Sequence, residues 1–115
     1  MKLPHAGEAI VAKSKIADYP LSLSHPYGRT KASFFIQHGF SATDWQRFET
    51  ALKRHATEHE VTESIQTPFG VKYIVDGPLF TLAGANPIIR SIWFVEIGEE
   101  APRLVTAYPL GLRPT

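Results

Sequence analysis

Trp45, Phe48, Leu52 and His55 recur at intervals of three, four and three residues, and after about Thr57 that period stops. Such spacing puts four bulky side chains on one face of an α-helix, because about 3.6 residues complete each turn. Arg47, Glu49, Lys53 and Arg54 fall mostly on the other side, where water can solvate them. Ser41-Ala42-Thr43-Asp44 precedes the run and offers the side-chain oxygens that cap a helix start. The chain is therefore expected to change from helix to sheet near its middle.

Downstream, Glu60 to Gln66 and Val71 to Val75 carry β-branched residues on either side of the turn-like Thr67-Pro68-Phe69-Gly70. They read as a hairpin. Asp76-Gly77-Pro78 reads as a turn before a short segment, Leu79 to Leu82, and Ala83 to Pro87 as another turn. Ile88 to Ile97 and Arg103 to Tyr108 are the strongest strand segments, joined by Gly98-Glu99-Glu100-Ala101-Pro102. Upstream, Pro26 suits a first helical position and Gly39 a helix stop, which predicts a helix from about Pro26 to His38 with Phe34 and Phe35 on its apolar flank. Ala9 to Ala12 reads as a short strand and Lys13 to Asp18 as a short helix. The expectation is a single α+β domain, residues 1–115, with two N-terminal helices packed on a four- to five-stranded antiparallel sheet.

Register turns that outline into faces. Pairing Ile97 with Pro102 sets Val95 opposite Leu104, Trp93 opposite Thr106 and Ser91 opposite Tyr108. Ser91, Trp93, Thr106 and Tyr108 then form an open polar-aromatic surface, and Ile92, Phe94, Val105 and Ala107 face the helices.

Composition narrows the function. Twelve Lys and Arg stand against eleven Asp and Glu, a net charge of +1, which is weak for a dedicated nucleic-acid binder. No cysteine is present, so disulfides, thiol nucleophiles and thiolate metal sites are excluded, and a reducing compartment fits. No apolar run is long enough to span a bilayer, and Met1-Lys2-Leu3-Pro4-His5 is no signal-peptide core. A cytoplasmic protein without membrane contact is expected.

Chemistry concentrates in two places. His25, Arg29 and Lys31 gather at the expected start of the first helix, where unpaired N–H groups and the dipole already favour an anion. Histidine can move a proton near neutral pH, and lysine and arginine can stabilise charge on a phosphate. The plainer account is a helix cap with solvated charges. Thr106 and Tyr108 alternate correctly to share a face and hold a phosphate, and Trp93 can stack on a base, although a strand tryptophan more often fills core. Arg90 and Arg103 flank that sheet, with surface pairing to Glu96, Glu99 or Glu100 as the ordinary alternative. His55 and His59 have a two-histidine metal spacing, but the order is not His-Glu-x-x-His and a third ligand is lacking nearby. Histidines at a helix C-terminus explain them better, so no metal and no cofactor are expected. No phosphate-binding P-loop, dinucleotide fingerprint or serine-hydrolase elbow is present.

The segments His25-Pro26-Tyr27-Gly28-Arg29-Thr30-Lys31-Ala32-Ser33-Phe34-Phe35, Gly39-Phe40, Asp44-Trp45 and Pro102-Arg103-Leu104-Val105-Thr106-Ala107-Tyr108-Pro109 resemble a family of small bacterial domains of unknown function, over nearly the whole chain. A helical first half and a final Thr-Ala-Tyr-Pro strand also resemble the barnase/EndoU/colicin/RelE superfamily of ribonuclease toxins. That second resemblance implies metal-independent RNA cleavage on a sheet face, with RNA as substrate and a small neutralising protein as partner. It implies catalytic roles for His25, Lys31 and Tyr108, and substrate contacts from Arg29, Thr106, Arg90, Trp93 and Arg103. The modest net charge supports an alternative expectation, a non-enzymatic protein-interaction domain of antitoxin, immunity or accessory type.

Overall fold

The computed structural model describes residues 1–11, 45–79, 81 and 86–110. The periodic segment forms helix α1, Trp45–Glu58. Phe48, Leu52 and Ala56 are fully buried on one side of it, whereas Gln46, Arg47, Thr50, Arg54 and Thr57 are exposed. Its water-facing side carries the i,i+4 pairs Glu49–Lys53 and Arg54–Glu58, which lend modest support to a helix already fixed by burial.

Four strands follow: β1, Val61–Thr67; β2, Gly70–Pro78; β3, Ile88–Glu96; and β4, Arg103–Pro109. They pair antiparallel in the order β1-β2-β3-β4. The expected first hairpin is present, closed by Thr67, whose hydroxyl donates to the Gly70 carbonyl at 2.9 Å and accepts from the Phe69 and Gly70 amides. Gly70 is required by close approach: a Cβ there would lie 2.2 Å from the Val95 carbonyl oxygen and 2.9 Å from the Phe94 ring.

The core lies between α1 and one face of the sheet. Phe48, Leu52 and Ala56 pack with Val75, Leu79, Ile89, Trp93, Leu104 and Ala107, joined by Leu3, Ala9 and Val11 from the N-terminal segment. That segment makes a 3-10 turn over Ala6–Glu8 and then lies along β4, where the Ile10 amide bonds to Pro102 and its carbonyl to Leu104.

Three expectations are corrected. Among the described residues one α-helix and a 3-10 turn accompany the sheet, not two N-terminal helices; the stretch from Pro26 to His38 lies outside the described residues. Asp76-Gly77-Pro78 is not a turn but the end of β2, paired with Arg90, Ile89 and Ile88. The β3–β4 register differs as well. Ser91 pairs with Ala107, Ile92 with Thr106 and Trp93 with Leu104, and Val105 is the extra residue of a bulge. The shift exchanges the faces of β3, so Ser91 and Trp93 enter the core while Ile92 and Phe94 face away from α1.

Candidate functional site

The sheet face turned away from α1 collects most of the described chemistry. Pairing across the strands arranges it in rows: Ile65, Lys72, Phe94 and Arg103; then Glu63, Ile74, Ile92 and Thr106; then Asp76, Arg90 and Tyr108. Phe94 lies with its ring over Gly70, in the space a larger residue would fill. Lys72 and Arg103 flank it on neighbouring strands, and among the described residues neither has an ion-pair partner. In the next row the Thr106 hydroxyl is buried, without a hydrogen-bond partner among the described residues.

Arg90 is held differently. Its Nε donates to Asp76 Oδ1 at 2.8 Å and its Nη2 to Asp76 Oδ2 at 2.9 Å, a bidentate pair between β2 and β3. Hydrogen bonding to Asp76 and then to Tyr108 raises the guanidinium pKa still further. Asp76, Arg90 and Tyr108 thus form one cross-strand polar line. The expected partners Glu96, Glu99 and Glu100 are not the ones Arg90 uses.

Of the sequence-derived candidates, Arg90, Arg103, Thr106 and Tyr108 share this face. Trp93 is fully buried on the opposite side, with no surface left to stack on a base. His25, Arg29 and Lys31 lie outside the described residues.

Beneath the sheet runs a second polar group. Trp93 Nε1 donates to Ser91 Oγ at 2.8 Å, and Ser91 Oγ lies 3.0 Å from His55 Nδ1. His55 Nε2 is 3.0 Å from the Gly77 carbonyl oxygen. The Gly77 carbonyl can only accept, so His55 Nε2 carries a proton, and the Trp93 N–H can only donate to Ser91. In the neutral ring, which burial favours, Nδ1 then accepts from the Ser91 hydroxyl. Burial disfavours its charged form and lowers its pKa to about 4, opposed by the Gly77 carbonyl and reinforced by His59. Ser91 is fully buried and donates its hydroxyl hydrogen bond to the ring, which makes this Ser–His pair part of the packing rather than a nucleophile open to substrate.

His59 extends the contact. Its Nε2 donates to the Pro78 carbonyl at 2.8 Å, and its ring lies 5.0 Å from that of His55, edge to face. A Cβ at Gly77 would sit 2.7 Å from the His59 ring. The i,i+4 histidines thus serve to reach two successive carbonyls of β2 rather than the helix's own C-terminal dipole. On another surface, His5, Glu8 and Glu100 bring one ligand atom each to within 4.8 Å of the others, all three exposed, as acidic groups without an ion often are.

Sequence reasoning missed Asp76, Lys72 and Phe94. Gly77 held the available signal: a glycine inside a strand marks a close approach, here by His59, and reading β2 through it brings Asp76 level with Arg90.

The family model described as Domain of unknown function (DUF6883) matches residues 2–111. The chain belongs to this family. The match takes in α1, all four strands and the whole of the outer face, so that face is carried by the DUF6883 domain itself. No curated protein and no solved structure matches the chain significantly. No helix among the described residues is long and apolar enough to cross a membrane.

Proposed function

We propose that the outer sheet face binds single-stranded RNA and that the domain is a metal-independent ribonuclease of the toxin kind, acting in the bacterial cytoplasm beside a small neutralising protein. The observation that supports this reading is the Lys72–Phe94–Arg103 row. Two cations, without a carboxylate partner among the described residues, flank a partly exposed aromatic ring on neighbouring strands, the combination that tracks a phosphate backbone and accepts a stacked base. Tyr108, partly exposed two residues along β4 from Thr106, lies on the same face beside it.

In this proposal a ribose 2′-hydroxyl attacks the neighbouring phosphate and the 5′-oxygen leaves. His25 moves the proton, Lys31 and Arg29 stabilise the extra phosphoryl charge, and Tyr108 and Thr106 hold the phosphate. The final Thr-Ala-Tyr-Pro strand, which resembles that of ribonuclease toxins, prompts the cleavage step, and the sheet face supports the binding step.

The deciding experiment is controlled expression of the wild type, His25→Ala/Lys31→Ala and Lys72→Ala/Arg103→Ala, with growth and total RNA followed together. Growth arrest with new RNA cuts in the wild type, lost in both variants, is the expected result. Normal growth and intact RNA with folded protein present would replace this reading by the non-enzymatic interaction domain. That second reading has its own support: Asp76 neutralises Arg90, so the face is less cationic than its arginines suggest.

A further inference from the structure

β1 is an outer strand of the sheet. On its free side the Val61 amide bonds to the Met1 carbonyl, and among the described residues Thr62 to Thr67 have no main-chain partner there. Thr62, Glu63, Ser64 and Gln66 are exposed. Such an edge is a template for another strand, and proteins ordinarily blunt it with lysine, proline or a covering segment. β1 reads Val-Thr-Glu-Ser-Ile-Gln-Thr and holds neither lysine nor proline. Its bulge at Thr62 distorts only the start. β4, the other outer strand, is partly covered by Ile10.

The edge also matches itself. Thr67 and Gly70 close a two-residue hairpin connection with their main chains facing each other, so those of Ser64 and Gln66 face outward. A second β1, antiparallel and related by a two-fold axis at Ile65, brings Ser64 opposite Gln66 of the second copy, and the reverse. These are the residues whose outward N–H and C=O groups can exchange hydrogen bonds. Ile65 then meets Ile65 and Glu63 meets Thr67, so no like charges lie directly opposite. A net charge of +1 adds little long-range repulsion.

We propose that a second copy of the chain occupies this edge, β1 against β1, joining two four-stranded sheets into one. Strand pairing alone makes a small interface, so the dimer is weak and forms in the micromolar range or above.

Sedimentation velocity over a concentration series tests this. The wild type is expected to rise toward twice the monomer mass. Ser64→Lys/Gln66→Lys sets lysine opposite lysine at both crossings and should stay monomeric where the wild type dimerises. Ser64→Glu/Gln66→Glu should do the same. Mixing the two variants sets lysine opposite glutamate and should restore the dimer, which damage to the fold could not explain. A wild type that stays monomeric at every concentration overturns the proposal. So does a dimer that persists in both charged variants, since its interface must then lie elsewhere.

Discussion

Ser91 Oγ sits 3.0 Å from His55 Nδ1, hydrogen-bonded to a ring that α1 has carried into the core. The same oxygen receives the Trp93 indole N–H, so one small side chain satisfies a histidine and a tryptophan at once. Helix and sheet are therefore joined by directional bonds as well as by apolar contact, and those bonds constrain protonation.

Stability should fall with acid through His55. Its folded pKa, about 4, lies below the ordinary histidine value of 6.5, so the unfolded chain binds the proton first. Between those values the unfolded state holds more protons, and stability rises with pH. The contribution is fully present above the upper value and lost as pH falls through the window, on the order of 3 kcal/mol at most. Urea unfolding at stepped pH measures it. A His55→Gln variant should lose most of the slope, and an unchanged slope in that variant would assign it to other groups.

Ser91→Ala should destabilise the fold by about 1–3 kcal/mol, because it leaves the Trp93 N–H and His55 Nδ1 without partners in the core. Thermal and urea unfolding are the measurements. A neutral result would mean that the seam contributes nothing net.

Gly77→Ala should force the His59 ring away from β2, at a cost of roughly 1–3 kcal/mol. His59→Ala removes the obstruction, so the double variant should be more stable than the sum of the single changes implies. Additive effects would place the cost in the strand backbone instead.

RNA affinity, if the outer face carries it, should depend on salt through Lys72 and Arg103. Replacing both by alanine should lower the slope of log affinity against log salt by about two contacts' worth, with stability changed by no more than roughly 0.5 kcal/mol. Asp76→Asn should act in the opposite direction by releasing Arg90. Fluorescence anisotropy with a single-stranded oligonucleotide reads both, and identical slopes would remove this face from RNA binding.

Helix α1 was legible because Phe48, Leu52 and His55 obey one period, and the first hairpin because a turn separates two β-branched runs. The β3–β4 faces were not. Counting back from Ile97 and Pro102 assumes pairing begins at the loop and continues without interruption. Pairing is instead established at Phe94 and Arg103, and the Val105 bulge sets Leu104 and Ala107, three residues apart, on one side. Strict alternation cannot express such a step. Thr106 and Tyr108 still share a face because both lie beyond it. Asp76 was obscured for a different reason: Asp-Gly-Pro has turn composition, and only the third dimension reveals the histidine lying on its glycine.

The polar seam joins residues distant along the chain: His55 reaches Gly77 across 22 positions and Ser91 across 36. Neither an isolated helix nor an isolated hairpin can make those bonds, since β2 and β3 must first lie side by side beneath α1. Closing such separations costs chain entropy before any bond returns it. The seam is therefore expected to close late in assembly, so that weakening it quickens unfolding and leaves the folding rate nearly unchanged. A Ser91→Ala variant that folds more slowly instead would place the seam in the folding nucleus.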